Sequence, residues 1–186
     1  MRSNIQINKF NELDNSSFAV FAPKLVEYLQ SQYHLEISIE PLPNAASAIF
    51  DGTSIRLSDI QSGEKQVFIL LHLTGHAAQL ATRPEWREAG AEVFDLRISL
   101  DNEQKIRDYE LEASGYGVDI LHELGRGDLV SWFEQLAAVD LEYFINFCKT
   151  GEFGSIDRFQ GVASYKIERR RLPEFEPVKI GEIIIV

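Results

Sequence analysis

The run Val67-Phe-Ile-Leu-Leu-His-Leu73 is apolar on every side once wound into a helix, and it still carries a histidine. A helix without a polar face belongs at the centre of a core, covered by other elements. Ser58 or Ser62 offers a cap before it and Pro84 a stop after it, so the spacing predicts a helix running to about Ala81. Inside that helix His72 and His76 stand four residues apart. That spacing puts both imidazoles on one face, roughly 40° apart, where both can reach one cation. Burying two imidazoles among Phe68, Leu70, Leu71 and Leu73 is costly unless their nitrogens find partners. A metal ion supplies such partners; nearby backbone carbonyls are the structural alternative.

The other elements are placed around this helix. Phe18, Phe21, Leu25, Tyr28 and Leu29 recur at helical spacing, which predicts an amphipathic helix over Ser17–Tyr33 with Asn15, Ser16 or Ser17 as cap. Pro23 either kinks it or marks its first turn. Leu35–Glu40 alternates apolar and polar residues as a half-buried strand does, and Pro41 and Pro43 end it. Ala48–Phe50 and Ser54–Leu57 flank Asp51-Gly52, a hairpin turn pair. A second long helix is expected over Asp101–Leu124, capped by Asp101 and stopped at Gly125. Asp128–Lys149 follows as one helix or two in tandem, and the tail Glu182–Val186 is β-prone. The expected class is α+β, a small antiparallel sheet packed beside a helical half. At 186 residues, with no Ser/Gly-rich linker and no repeat, the chain reads as one domain spanning 1–186.

Composition narrows the function classes. A hydrophobic content of 45% is enough for one large core, which excludes disorder and fibrous folds. The formal charge is −11, so a phosphate backbone is repelled and nucleic-acid binding is disfavoured. Cys148 is the single cysteine, which leaves no internal disulfide and no cysteine metal cluster. Apolar runs such as Phe18–Ala22 and Val67–Leu71 fall far short of a membrane span of about 20 residues, and Met1–Phe10 does not read as a signal peptide. A soluble, cytoplasmic protein is expected, of undetermined oligomeric state.

A metal at His72 and His76 needs a third ligand, and the second long helix offers Glu110. Ala113 and Gly117 follow it at offsets of three and seven on the same face. Two small residues there let another helix approach closely. Gly75 sits between the histidines, where a glycine costs about 1 kcal/mol relative to alanine. The two helices are therefore expected to cross at short distance. Two imidazoles and a carboxylate form a set that suits Zn²⁺ with one open position. Glu112 is the nearest rival ligand.

His72-Leu-Thr-Gly-His76 in a buried helix, followed by Tyr109-Glu-Leu-Glu-Ala-Ser-Gly-Tyr-Gly117, resembles the ImmA/IrrE family of zinc metallopeptidases. In that family a strand pair precedes an HExxH helix, and a later Glu-x-Glu-Ala helix gives the third ligand. The likeness covers about Phe18–Leu124, and Leu172-Pro-Glu-Phe-Glu-Pro resembles the tail of some members. It implies a zincin-like core over about 15–125, with a helical and C-terminal extension over about 126–186. It also implies a role in regulated cleavage of repressors. One departure weighs against the chemistry. The HExxH glutamate acts as general base on the metal's water, and here Leu73 stands in its place. General acid–base help is worth about 10²–10⁴-fold, so impaired or lost peptidase activity is expected. Glu112, Glu92 and Asp51 are conceivable substitutes that no spacing places at the site.

A non-catalytic interaction module with structural histidines is the alternative. In zincin-like folds the strand before the metal helix, here Ser54–Leu57, can pair with an extended peptide or protein segment. The basic cluster Lys166, Arg169, Arg170 and Arg171 reads as a solvated edge or as neutralising the chain's own acids, with an anion or nucleic-acid contact the less favoured alternative. Between Glu92 and Glu152 there are 14 acidic residues against 5 basic ones, so partners are at hand.

Overall fold

A computed structural model describes residues 15–87, 103–152 and 165–185. In chain order these form α1 (Asn15–Tyr33), β1 (Glu36–Glu40), β2 (Ala48–Phe50), β3 (Ser54–Ser58), α2 (Gly63–Thr82), α3 (Glu103–Glu123), α4 (Val130–Thr150) and β4 (Ile183–Ile185). Glu92 and the expected cap Asp101 lie outside the described residues.

α2 is the central element its composition demands. Ser62 caps it, its hydroxyl accepting from Lys65 N at 3.3 Å. Val67, Leu70, Leu71, Ala77 and Ala78 are fully buried, and α1, α3 and α4 all pack against the helix. α1 turns Phe18, Phe21, Leu25 and Leu29 inward. It starts well before Pro23 and continues through it, so the proline does not mark its first turn. α4 is one helix, ended by Gly151 in the left-handed region at φ 71°. It runs antiparallel to α3: Phe133 lies against Gly117, while Leu141 and Ile145 cluster with Ile106, and Arg107 pairs with Glu142 at 2.6 Å.

The sheet has the order β1-β3-β2-β4 and is mixed, not antiparallel throughout. β2 and β3 form the expected antiparallel hairpin, and β4 adds to β2 antiparallel. β1 instead pairs parallel with β3, Glu36 beside Ser54 through Glu40 beside Ser58. The hairpin folds β3 back between β2 and β1, so β2 itself serves as the crossover a parallel pair needs. Alternating burial marks a strand as half-buried but carries no information on its direction, which is why the sequence pattern missed this. A second correction follows for Ser54–Leu57. β3 is interior, with β1 on one side and β2 on the other, so it has no free edge for a peptide. Among the described residues the edge strands are β1 and β4.

The C-terminal segment straps these parts together. Arg170 N donates to Gly115 O at 3.1 Å and Leu172 N to Asp119 Oδ2 at 2.8 Å, both on α3. Further on, Ile180 N donates to Asp51 O at 2.7 Å, and the chain enters β4. Arg169 pairs with Asp119 at 2.6 Å and Arg170 with Glu112 at 3.3 Å. Two members of the basic cluster thus neutralise acids of α3, as the charge distribution suggested. No helix among the described residues is long and apolar enough to cross a membrane.

Candidate metal centre

The closest approach of α2 and α3 is built from small residues. A Cβ added at Gly75 would stand 2.1 Å from Ala113 O and 2.8 Å from Ala113 Cα. One at Gly117 would meet Phe133 Cζ at 2.7 Å and Leu71 O at 3.3 Å. Neither helix could lie this close with a larger residue at Gly75. The contact brings Glu110 level with the two histidines.

His72, His76 and Glu110 then converge. His72 Nε2 and His76 Nε2 are 3.0 Å apart, and Glu110 Oε2 lies 3.1 Å from the first and 3.4 Å from the second. A tetrahedral ion with bonds of about 2.0–2.1 Å spaces its ligand atoms about 3.3 Å apart. The triangle fits that spacing, and the three residues can hold a metal ion. They are not sealed off: the His72 and Glu110 side chains each keep 12% of their surface.

The second layer fixes which atoms face the centre. Gln79 Nε2 donates to Tyr109 O at 2.8 Å and to Glu112 Oε2 at 3.1 Å. With both amide hydrogens used, Gln79 Oε1, 2.9 Å from His76 Nδ1, must accept. His76 therefore carries its hydrogen on Nδ1 and turns the bare Nε2 towards Glu110 and His72. Ser114 Oγ stands 3.4 Å from His72 Nδ1, within hydrogen-bond reach of that ring's other nitrogen. Phe68 stacks on His72 with centroids 5.8 Å apart, and Tyr109 on His76 at 4.6 Å. Rings held on a face and at a nitrogen have little freedom to turn.

Electrostatics show what the centre wants. Burial pushes the Glu110 carboxyl up, but the two neighbouring imidazoles, His76 foremost, outweigh it and hold it well below the usual carboxylate range. Burial pushes His72 down, and its hydrogen bond to Glu110 more than reverses this, so its pKa is raised. A proton on His72 thus stands where a cation would stand, between atoms that otherwise point lone pairs at one another.

Glu112 is not a ligand. It is 3% exposed and turned from the triangle, accepting from Gln79, from Arg83 Nη1 at 2.8 Å, from Arg170 and from the Trp86 indole. Two residues along a helix are about 200° apart, so Glu110 and Glu112 cannot serve one site. Asp51 is spent in the hairpin turn, accepting from Thr53 N at 3.0 Å and Ser54 N at 2.7 Å. Neither belongs to the group of three that could hold a metal ion. Leu73 is 3% exposed and belongs to the main hydrophobic core. Gln79 escaped the sequence reading, although a glutamine three residues after His76 on an otherwise apolar helix is a signal of its own. No family model matches the chain, no curated protein matches it, and no solved structure matches it.

Proposed function

We propose that this chain is a zinc-binding protein of the ImmA/IrrE-like kind, with a zincin-like core and with peptidase activity impaired or lost. The observation that carries the proposal is the triangle of His72 Nε2, His76 Nε2 and Glu110 Oε2, with edges of 3.0, 3.1 and 3.4 Å. Two imidazoles and one carboxylate from two rigid helices are a donor set that favours Zn²⁺ over the harder Mg²⁺ or Ca²⁺. Bound there, zinc would polarise a carbonyl and acidify a water at its open position.

The chain's own residues explain the impairment. Next to His72 stands Leu73, a side chain that can neither take nor give a proton. Leu73 is buried in the core, where a carboxylate would be costly unless it found a partner. The role that fits is binding a protein segment in the repressor-cleavage setting of the resemblance, as its pseudoenzyme counterpart, in the cytoplasm. Incubating zinc-loaded protein with casein and with mixed peptides tests this. The expected result is no cleavage above a His76→Ala control; robust cleavage that a chelator abolishes would overturn it.

A further inference from the structure

The metal centre has two helices in the triangle and a third beside it. α3 and α4 are antiparallel, and Gly117 against Phe133 fixes their register. Glu110 lies seven residues before Gly117, and Asp140 seven after Phe133. Seven residues are about two helical turns, so both positions return to the facing sides at the same level. The Arg107–Glu142 pair at 2.6 Å and the Ile106–Leu141–Ile145 cluster hold that register beyond them. Asp140 is the acidic residue this alignment sets opposite Glu110.

The charges that act on Asp140 agree with this placement: His72, His76 and Lys65 from α2 and Glu110 from α3. Asp140 is half-buried and makes no hydrogen bond or ion pair with a described residue. It does not join the three ligand atoms, which lie within 4.8 Å of one another. Burial raises its pKa, His72 works against that, and Glu110 adds to it. A carboxylate near a cation site but outside its ligand set acts on the occupant of the open position through its charge and as a hydrogen-bond acceptor.

We propose that Asp140 faces the open side of the His72–His76–Glu110 triangle and selects, for that position, a neutral ligand that can also donate a hydrogen bond. The inference rests on the metal-binding reading given above. With Leu73 on α2, the carboxylate beside the open position comes from α4 instead. Its negative charge favours a water or a neutral amine, whose lone pair meets the metal while a hydrogen meets Asp140, and disfavours anions such as carboxylates.

Cobalt(II) is the probe, because its visible spectrum reports the ligands at the open position, and azide is the competing anion. Wild-type protein is expected to take up about one cobalt per chain and to bind azide weakly. Asp140→Asn and Asp140→Ser should keep the cobalt and bind azide about tenfold more tightly, since a nearby negative charge is gone. Glu110→Gln, by contrast, should lose the cobalt. Unchanged azide affinity in both Asp140 variants overturns the inference and leaves the metal site standing. Loss of cobalt in both variants, with helical content by circular dichroism retained, also overturns it, making Asp140 a ligand. A wild-type protein that takes up no cobalt overturns the metal reading and this inference with it.

Discussion

At the scale of single residues, the amide of Gln79 decides which nitrogen of His76 is free. Its two hydrogens are committed to Tyr109 O and Glu112, so its oxygen must take the Nδ1 hydrogen. Gln79→Ala removes that anchor without touching a proposed ligand. Zinc affinity, measured by competition with a chromophoric chelator, should fall about 10–100-fold. An unchanged affinity would mean that stacking on Tyr109 alone orients the ring. Asp51 supports the hairpin by related means. Burial pushes its carboxyl up, but hydrogen bonds from Ser54 N, Thr53 N and the Thr53 hydroxyl prevail and bring it down to about 2. A folded-state pKa below the ordinary value stabilises the fold above the unfolded pKa. That contribution, on the order of 1–2 kcal/mol, is lost as pH falls from about 4 towards 2. Urea titrations across this range should show the loss in the wild type and a flatter dependence in Asp51→Ala. Equal slopes would show that the turn does not depend on this carboxylate.

Between elements, the deciding contact is Gly75 against Ala113. A methyl at Gly75 would meet backbone, Ala113 O at 2.1 Å, which no side-chain rotation relieves. The same methyl at Gly117 meets the ring edge of Phe133, which can shift. Alanine in a helix gains about 1 kcal/mol over glycine, and overpacking costs about 1–3 kcal/mol. Gly75→Ala should therefore be net destabilising by about 1–2 kcal/mol, and Gly117→Ala nearer neutral. Chemical denaturation of the two variants checks the order, and a Gly75→Ala protein as stable as the wild type would remove the close crossing. This crossing was legible in the sequence, because small residues at offsets of three and seven from Glu110 have few other uses. Strand direction was not. Residues 36–40 show the same alternation whether they run with or against β3, and only the position of the hairpin decides. A helix through Pro23 was one of two readings the sequence left open, and the burial of Phe18 and Phe21 on the turns ahead of the proline favours it.

For the whole molecule, the negative charge and the C-terminal strap belong together. Asp119 is 2% exposed on α3, and the strap answers it with Arg169 and the Leu172 amide, while Arg170 reaches Glu112. Arg170 and Gln79 thus meet at one carboxylate, which ties the strap to the shell around the metal centre. The sequence anticipated in-chain partners for the basic cluster from its charge surplus, but it could not say which acids. It placed His72, His76 and Glu110 together from spacing alone, yet left Glu112 as a rival, because facing directions two residues apart need a partner helix to be read. The central claim is that these three residues form a metal site. Elemental analysis of untagged protein, dialysed after exposure to zinc, tests it most directly. The account predicts about one zinc per chain in the wild type and almost none in His76→Ala or Glu110→Ala. A folded wild-type protein that retains no zinc would contradict it.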